Sequence, residues 1–279
     1  MPKDVDELIA LFDLTQTGES SFRGPHPQTY LQRLFGGQVL GQTLVAAART
    51  VAADRQVHSL NAYFLRPGRN DAPLDFDVEL VRDGGTFSNR RVVTRQGDRE
   101  IFMMTASFQQ AEEGLDHSAA QPTDVAVPEA SPLLREVLQR RFGASFQLLS
   151  EWDALDVRLA ARPDRTEFGG SMKAWVRTRQ AMPDDPVLHA AVLAYLSDMT
   201  LLSVTTVPHE VEFLSPSMQA ASIDHVMWFH RPVRVDEWLL YDMISPSASH
   251  ARGFATGRLF QDGKAVASCA QEGLIRVID

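Results

Sequence analysis

The chain has 279 residues, a formal net charge of -9, 44% hydrophobic and 23% charged residues, and a single cysteine, Cys269. These values describe an ordinary globular protein with room for one large domain or two of common size. The acidic balance argues against nucleic acid as the main partner, and a lone cysteine rules out an intrachain disulfide framework and fits a reducing compartment.

The first residues, "MPKDVDELIALFDL", are acidic and amphipathic, without the basic start and apolar core of a signal peptide. No apolar run reads as a membrane span, and the terminal "RVID" carries no peroxisomal or retention signal. A cytoplasmic location is the expectation. "GGQVLGQTLVAAARTV", Gly36 to Val51, is predicted as a helix. It resembles a phosphate-binding loop with Gln42 where the lysine would stand, so its glycines are assigned to packing a helix on a sheet. His58, in "VHSLNAYF", falls at the start of a predicted strand, where a structural role outweighs a catalytic one. "PLDFDVELVRDG", "TFSNRRVVTRQGD" and "EIFMMTASFQ" then read as strands closed by turns.

"AEEGLDHSAAQPTDVAVPEASP" reads as a linker, with "LLREVLQRRF" a helix inside the connection. After the short strand "MKAWVRTR", a second apolar helix is predicted from Pro186 to Val204, with Asp185 as its N-cap and Pro186 in its first turn. The strands "EWLLYDMIS", "HARGFATGRLFQDG" and "KAVASCAQEGLIRVI" follow. Gly253, Ala255, Gly257 and Leu259 give one of these strands a small face, as if a helix or neighbouring backbone lay close. Cys269 sits among small residues on the same face as Gln271, and inert packing is its expected role.

The chain repeats itself. Setting "NAYFLRPG" (61–68) on "VMWFHRPV" (226–233) places Arg66-Pro67 on Arg231-Pro232, and the same shift sets "QGDREIF" on "QDGKAVA". One helix followed by antiparallel strands, twice over, implies two α+β units. The expected division is an N-terminal unit over residues 1–115, a linker over 116–146 and a C-terminal unit over 147–279.

One residue stands out. In "LAYLSDMTLL", Asp198 shares a helical face with Ala194, Tyr195, Leu201 and Leu202, so it does not belong to a solvated face. An unpaired buried carboxylate is strongly unfavourable. Three readings stand: an N-cap after a helix break, a carboxylate satisfied by Tyr195 or a backbone amide, or a general base at the floor of a pocket. "DHVMWFHRP", rich in polar and aromatic groups, reads as a site wall. No G-x-S-x-G elbow and no H-E-x-x-H helix occurs, and the eight histidines show no metal spacing.

The blocks "FGGQVLGQ", "VHSLNAYFLRPG", "RDGGTFSNRRV", "FMMTASFQ", "YLSDMTLL", "SIDHVMWFHRP", "EWLLYDMISPSASHARGF" and "VASCAQEGLIR" together resemble the type II acyl-CoA thioesterases. The resemblance runs from about Phe22 to Arg276 and is weakest between Ala111 and Ser171. It implies an α+β tandem (double) hotdog, two antiparallel sheets each wrapping a long central helix. It further implies catalytic roles for Asp198, Ser222 and Gln271, with Gln42 as the uncharged first-half counterpart of Asp198. Hydrolysis of acyl-CoA by an Asp-activated water follows, with a covalent anhydride as second route. No metal or organic cofactor is implied, and homo-oligomers, dimers or tetramers, are. Two rivals are a hotdog hydratase or dehydratase and a non-catalytic acyl-CoA-binding protein.

Overall fold

A computed structural model describes residues 1–143, 151–166, 169–209 and 211–278. The first half holds α1 (Val5–Phe12), β1 (Thr15–Gln16), β2 (Ser21–Gly24), α2 (Gly36–Ala48), β3 (Arg55–Phe64), β4 (Leu74–Asp83), β5 (Phe87–Gln96) and β6 (Arg99–Gln110). After α3 (Leu134–Phe142) come β7 (Leu155–Leu159), β8 (Asp164–Thr166), β9 (Gly169–Thr178) and α4 (Pro186–Thr200). The chain ends with β10 (Met218–Ser222), β11 (Asp224–Phe229), β12 (Leu239–Ser249), β13 (Arg252–Gln261) and β14 (Lys264–Val277).

The strands alternate as period-2 patterning requires: along β5, Ser88, Arg90, Val92 and Thr94 face inward while Phe87 and Arg91 face out. The two sheets join edge to edge into one, in the order β1-β2-β4-β5-β6-β3-β11-β14-β13-β12-β9-β7, with β10 on β14 and β8 on β9. The seam is antiparallel and sets Asn61 of β3 opposite Val226 of β11, two residues that the repeat alignment equates. A two-fold axis relating the halves therefore passes between them.

The repeat extends to individual bonds. Leu65 and Arg66 both donate their backbone N–H to the Ile101 carbonyl, and His230 and Arg231 do the same to Val266. Gln96 brackets the backbone of Arg69 at 2.7 and 2.9 Å, as Gln261 brackets that of Arg234 at 3.0 and 2.7 Å.

Helices α2 and α4 pack against each other in antiparallel sense. A Cβ on Gly37 would stand 2.4 Å from the Tyr195 carbonyl, and one on Gly41 2.8 Å from that of Ala191. The glycines of the first motif thus let helix approach helix, which corrects the expectation of helix on sheet. Asp185 caps α4 by accepting from Val187 and Leu188, with Pro186 next in line. Beyond Thr200 the rod tightens into a 3-10 turn, Leu201–Thr206, that lies over the small face of β13, where a Cβ on Gly253 would be 2.6 Å from Thr205.

Contrary to the sequence reading, Pro186–Thr206 is long and apolar enough by length and composition to cross a membrane. With 78% of that window buried inside the fold, it is a core helix. The expected linker helix forms as α3, while the expected boundary between residues 146 and 147 lies outside the described residues.

Candidate active site

Asp198 occupies the last turn of α4 and is 8% exposed. Ser222 ends β10, opposite Gly273 of β14, and Gln271 lies two residues earlier on that strand, fully buried. These elements converge. Ser222 Oγ donates to Asp198 Oδ1 at 3.0 Å, and Gln271 Nε2 donates to the same oxygen at 2.6 Å and to Ser222 Oγ at 2.8 Å. A flipped Gln271 amide would set oxygen against the carboxylate, so chemistry fixes its orientation. The three residues singled out in the sequence meet at one carboxylate oxygen.

The second oxygen faces the other half of the molecule. A Cβ on Gly36 would lie 2.7 Å from Asp198 Oδ2 and 2.9 Å from the Phe64 ring, so only glycine leaves this space open. Gly36 begins α2, whose N-cap, Phe35, gives no side-chain cap. The leading amides of a helix have no partners within it, and they carry partial positive charge. Asp198 therefore sits at the mouth of an uncapped helix from the first half. Gly36 and Phe64 escaped the sequence reading; the signal that could have found them is a Gly-Gly pair opening a helix with no capping residue.

Of the alternative partners, Tyr195 makes no hydrogen bond to Asp198, and α4 shows no break there for an N-cap. Behind the site, His225 Nε2 meets Ser197 Oγ at 2.9 Å, and burial holds the imidazole toward its neutral form. Cys269 Sγ lies 3.1 Å from the Tyr241 hydroxyl, and burial pushes the thiol up to about 12, which makes it an inert packing group. His58 bonds Ser107 at 2.8 Å and stacks edge-on against Phe87, away from the cavity. From the suspected wall, His225 is fully buried behind the site, and Asp224 accepts from the Glu272 amide at 2.7 Å.

The carboxylate opens into a cavity of about 1340 Å³. Its walls are largely apolar: Leu34 and Phe64 from the first half, Met172 and Met199 from the second, and Leu134 and Val137 of α3. Such a volume exceeds the common range for small-molecule pockets, about 300–1,000 Å³. Among the described residues, no group of three metal-ligating side chains occurs.

Residues 25–109 match the family described as acyl-CoA thioesterase N-terminal domain, and residues 148–274 match the family described as acyl-CoA thioesterase. Human acyl-coenzyme A thioesterase 8 is 38% identical, with 99% of this chain and 91% of the relative covered. The chain belongs to the type II acyl-CoA thioesterase family. Among solved structures, the acyl-CoA thioesterase II TesB2 from Mycobacterium marinum is 42% identical, with a TM-score of 0.82 over 96% of this chain and 97% of that one. A hot dog protein from Alicyclobacillus acidocaldarius, 21% identical with a TM-score of 0.79 over 98% and 99% of the two chains, shows the fold alone. The tandem hotdog expected of this thioesterase family is the observed architecture, its two sheets being halves of one.

Proposed function

We propose that this chain hydrolyses fatty acyl-CoA to free acid and CoA, with Asp198 as general base. The observation that carries the mechanism is the split use of its carboxylate: Oδ1 takes donors from Ser222 and Gln271, while Oδ2 faces the open start of α2. A water beside Oδ2 attacks the thioester carbonyl carbon as its proton passes to that oxygen, while Ser222 and Gln271 hold the carboxylate in place through Oδ1. The carbonyl oxygen becomes an oxyanion beside the leading α2 amides. When the C–S bond breaks, the proton on Asp198 leaves with the thiolate, giving acid and free CoA. No histidine bonds Asp198 among the described residues, which disfavours the hydratase reading.

The test is release of free thiol from acyl-CoA esters of graded chain length, by the wild type and Asp198→Ala. Hydrolysis by the wild type and loss in a folded variant support the reading. A folded Asp198→Ala with near-wild-type turnover sinks it.

The outer sheet face leaves Tyr63, Met103, Trp228 and Phe254 exposed. These support a homo-oligomer, dimer or tetramer, to be read by analytical ultracentrifugation. The buried free thiol of Cys269 supports a reducing, cytoplasmic location, to be read by microscopy of a tagged chain.

A further inference from the structure

Five arginines line the cavity: Arg33, Arg66, Arg135, Arg141 and Arg179. Arg135 and Arg141 are paired with Asp153 and Glu212, whereas Arg33, Arg66 and Arg179 have no carboxylate partner among the described residues. Arg179 hangs on the β7 side, its Nε on the Leu155 carbonyl at 3.0 Å. The repeat singles out Arg66. Its guanidinium donates to the Glu100 carbonyl at 2.7 Å, and its counterpart Arg231 donates to the Ala265 carbonyl, the equivalent acceptor, also at 2.7 Å.

There the copies part. Arg231 goes on to bind the Asp116 carboxylate and, at 2.9 Å, the His117 carbonyl, both supplied by the linker lying across the second half. Arg66 is anchored the same way, is exposed, and has no such acid over it. The fold has built one arginine cradle twice and filled one copy with an anion from its own chain. The other copy stands open at the cavity mouth.

Arg33 is drawn to the same place, because the Leu34 amide donates to the Gly68 carbonyl at 3.1 Å and ties the two loops together. Two residues before Arg66, the Phe64 ring borders the space between Gly36 and Asp198. A ligand reaching that space past Arg66 meets the arginines first and the carboxylate last.

We infer that Arg66, with Arg33 beside it, binds the phosphates of the CoA moiety. Guanidinium groups suit phosphate because their planar N–H fork matches its oxygens in pairs. The pantetheine arm then runs along the end of β3 toward Asp198, which leaves the apolar side beneath α3 for the acyl chain. This assignment rests on the thioesterase reading above.

The experiment compares two substrates with the same acyl group, the CoA ester and the phosphate-free pantetheine ester, using wild type, Arg66→Ala and Arg66→Lys. For the CoA ester, Arg66→Ala is expected to raise KM about tenfold, equal to about 1.4 kcal/mol, with kcat little changed. Its kcat/KM for the pantetheine ester stays at the wild-type value, Arg66→Lys recovers part of the loss, and adenosine 3′,5′-bisphosphate inhibits Arg66→Ala less than wild type. Arg231→Ala, the matched control, lowers Tm and leaves the ratio of the two substrates unchanged. If Arg66→Ala impairs both substrates in proportion, or neither, the phosphate site is overturned while the thioesterase reading stands. A wild type that hydrolyses neither ester overturns that reading, and this site with it.

Discussion

The middle of α2 around Gln42 and the last turn of α4 around Asp198 are buried polar points in the two central helices, finished in opposite ways. Gln42 is fully buried and donates to the Leu11 and Pro25 carbonyls at 2.7 and 2.9 Å. Helix α1 closes over it, with the Phe12 ring 2.6 Å from where a Cβ on Gly41 would stand. Asp198 meets side-chain donors on one oxygen and open space on the other. The difference teaches that a buried polar side chain in a central helix can be sealed by backbone carbonyls, as at Gln42, or left facing a cavity, as at Asp198.

Substitutions that blur this contrast rank by their expected effect on turnover. Gln271→Leu removes the donor that holds both Asp198 and Ser222, and kcat should fall about 10²–10³-fold in stopped-flow thiol release, with KM less affected. Gly36→Ala places a methyl against Oδ2 and the Phe64 ring; a shift of that size should lower kcat/KM about tenfold to a hundredfold.

Phe12→Ala acts on the sealed surroundings of Gln42 instead. It should destabilise the fold by about 3–5 kcal/mol in urea titration, while activity per folded molecule stays unchanged. Cys269→Ala should have the smallest effect, none on turnover at neutral pH. Burial pushes the thiol up to about 12 in the fold against an ordinary value of 9.0, so the unfolded chain loses this proton first. The resulting stabilisation is complete below about pH 9 and fades as pH rises toward 12. Cys269→Ala should therefore flatten the alkaline decline in stability seen by denaturant titration.

Periodicity was enough to place Asp198 on an apolar helix face, and the offset between the Arg-Pro motifs reproduces the pairing of β3 with β11. Both are local or repeated patterns, which a single sequence carries. The partners Ser222 and Gln271 came through resemblance, since contacts 24 and 73 residues distant leave no periodic trace. Gly36 was misread because a glycine that makes room for a helix and one that makes room for a carboxylate look alike in sequence. The plug formed by α1 was also hidden: an amphipathic stretch announces a face to bury without naming what it covers. The linker's acid on Arg231 was invisible for the same reason, its partner lying 115 residues away.

The central claim is that Asp198 in α4 carries the chemistry and that Gln42 in α2 has a structural role alone. It is tested most directly by comparing CoA release by Asp198→Asn and Gln42→Met at matched folded fractions. The expected result is a fall of about 10³-fold for Asp198→Asn, within the range for a lost general base, and a rate near wild type for Gln42→Met. Near-wild-type release by Asp198→Asn, or an equal loss in both variants, would contradict it.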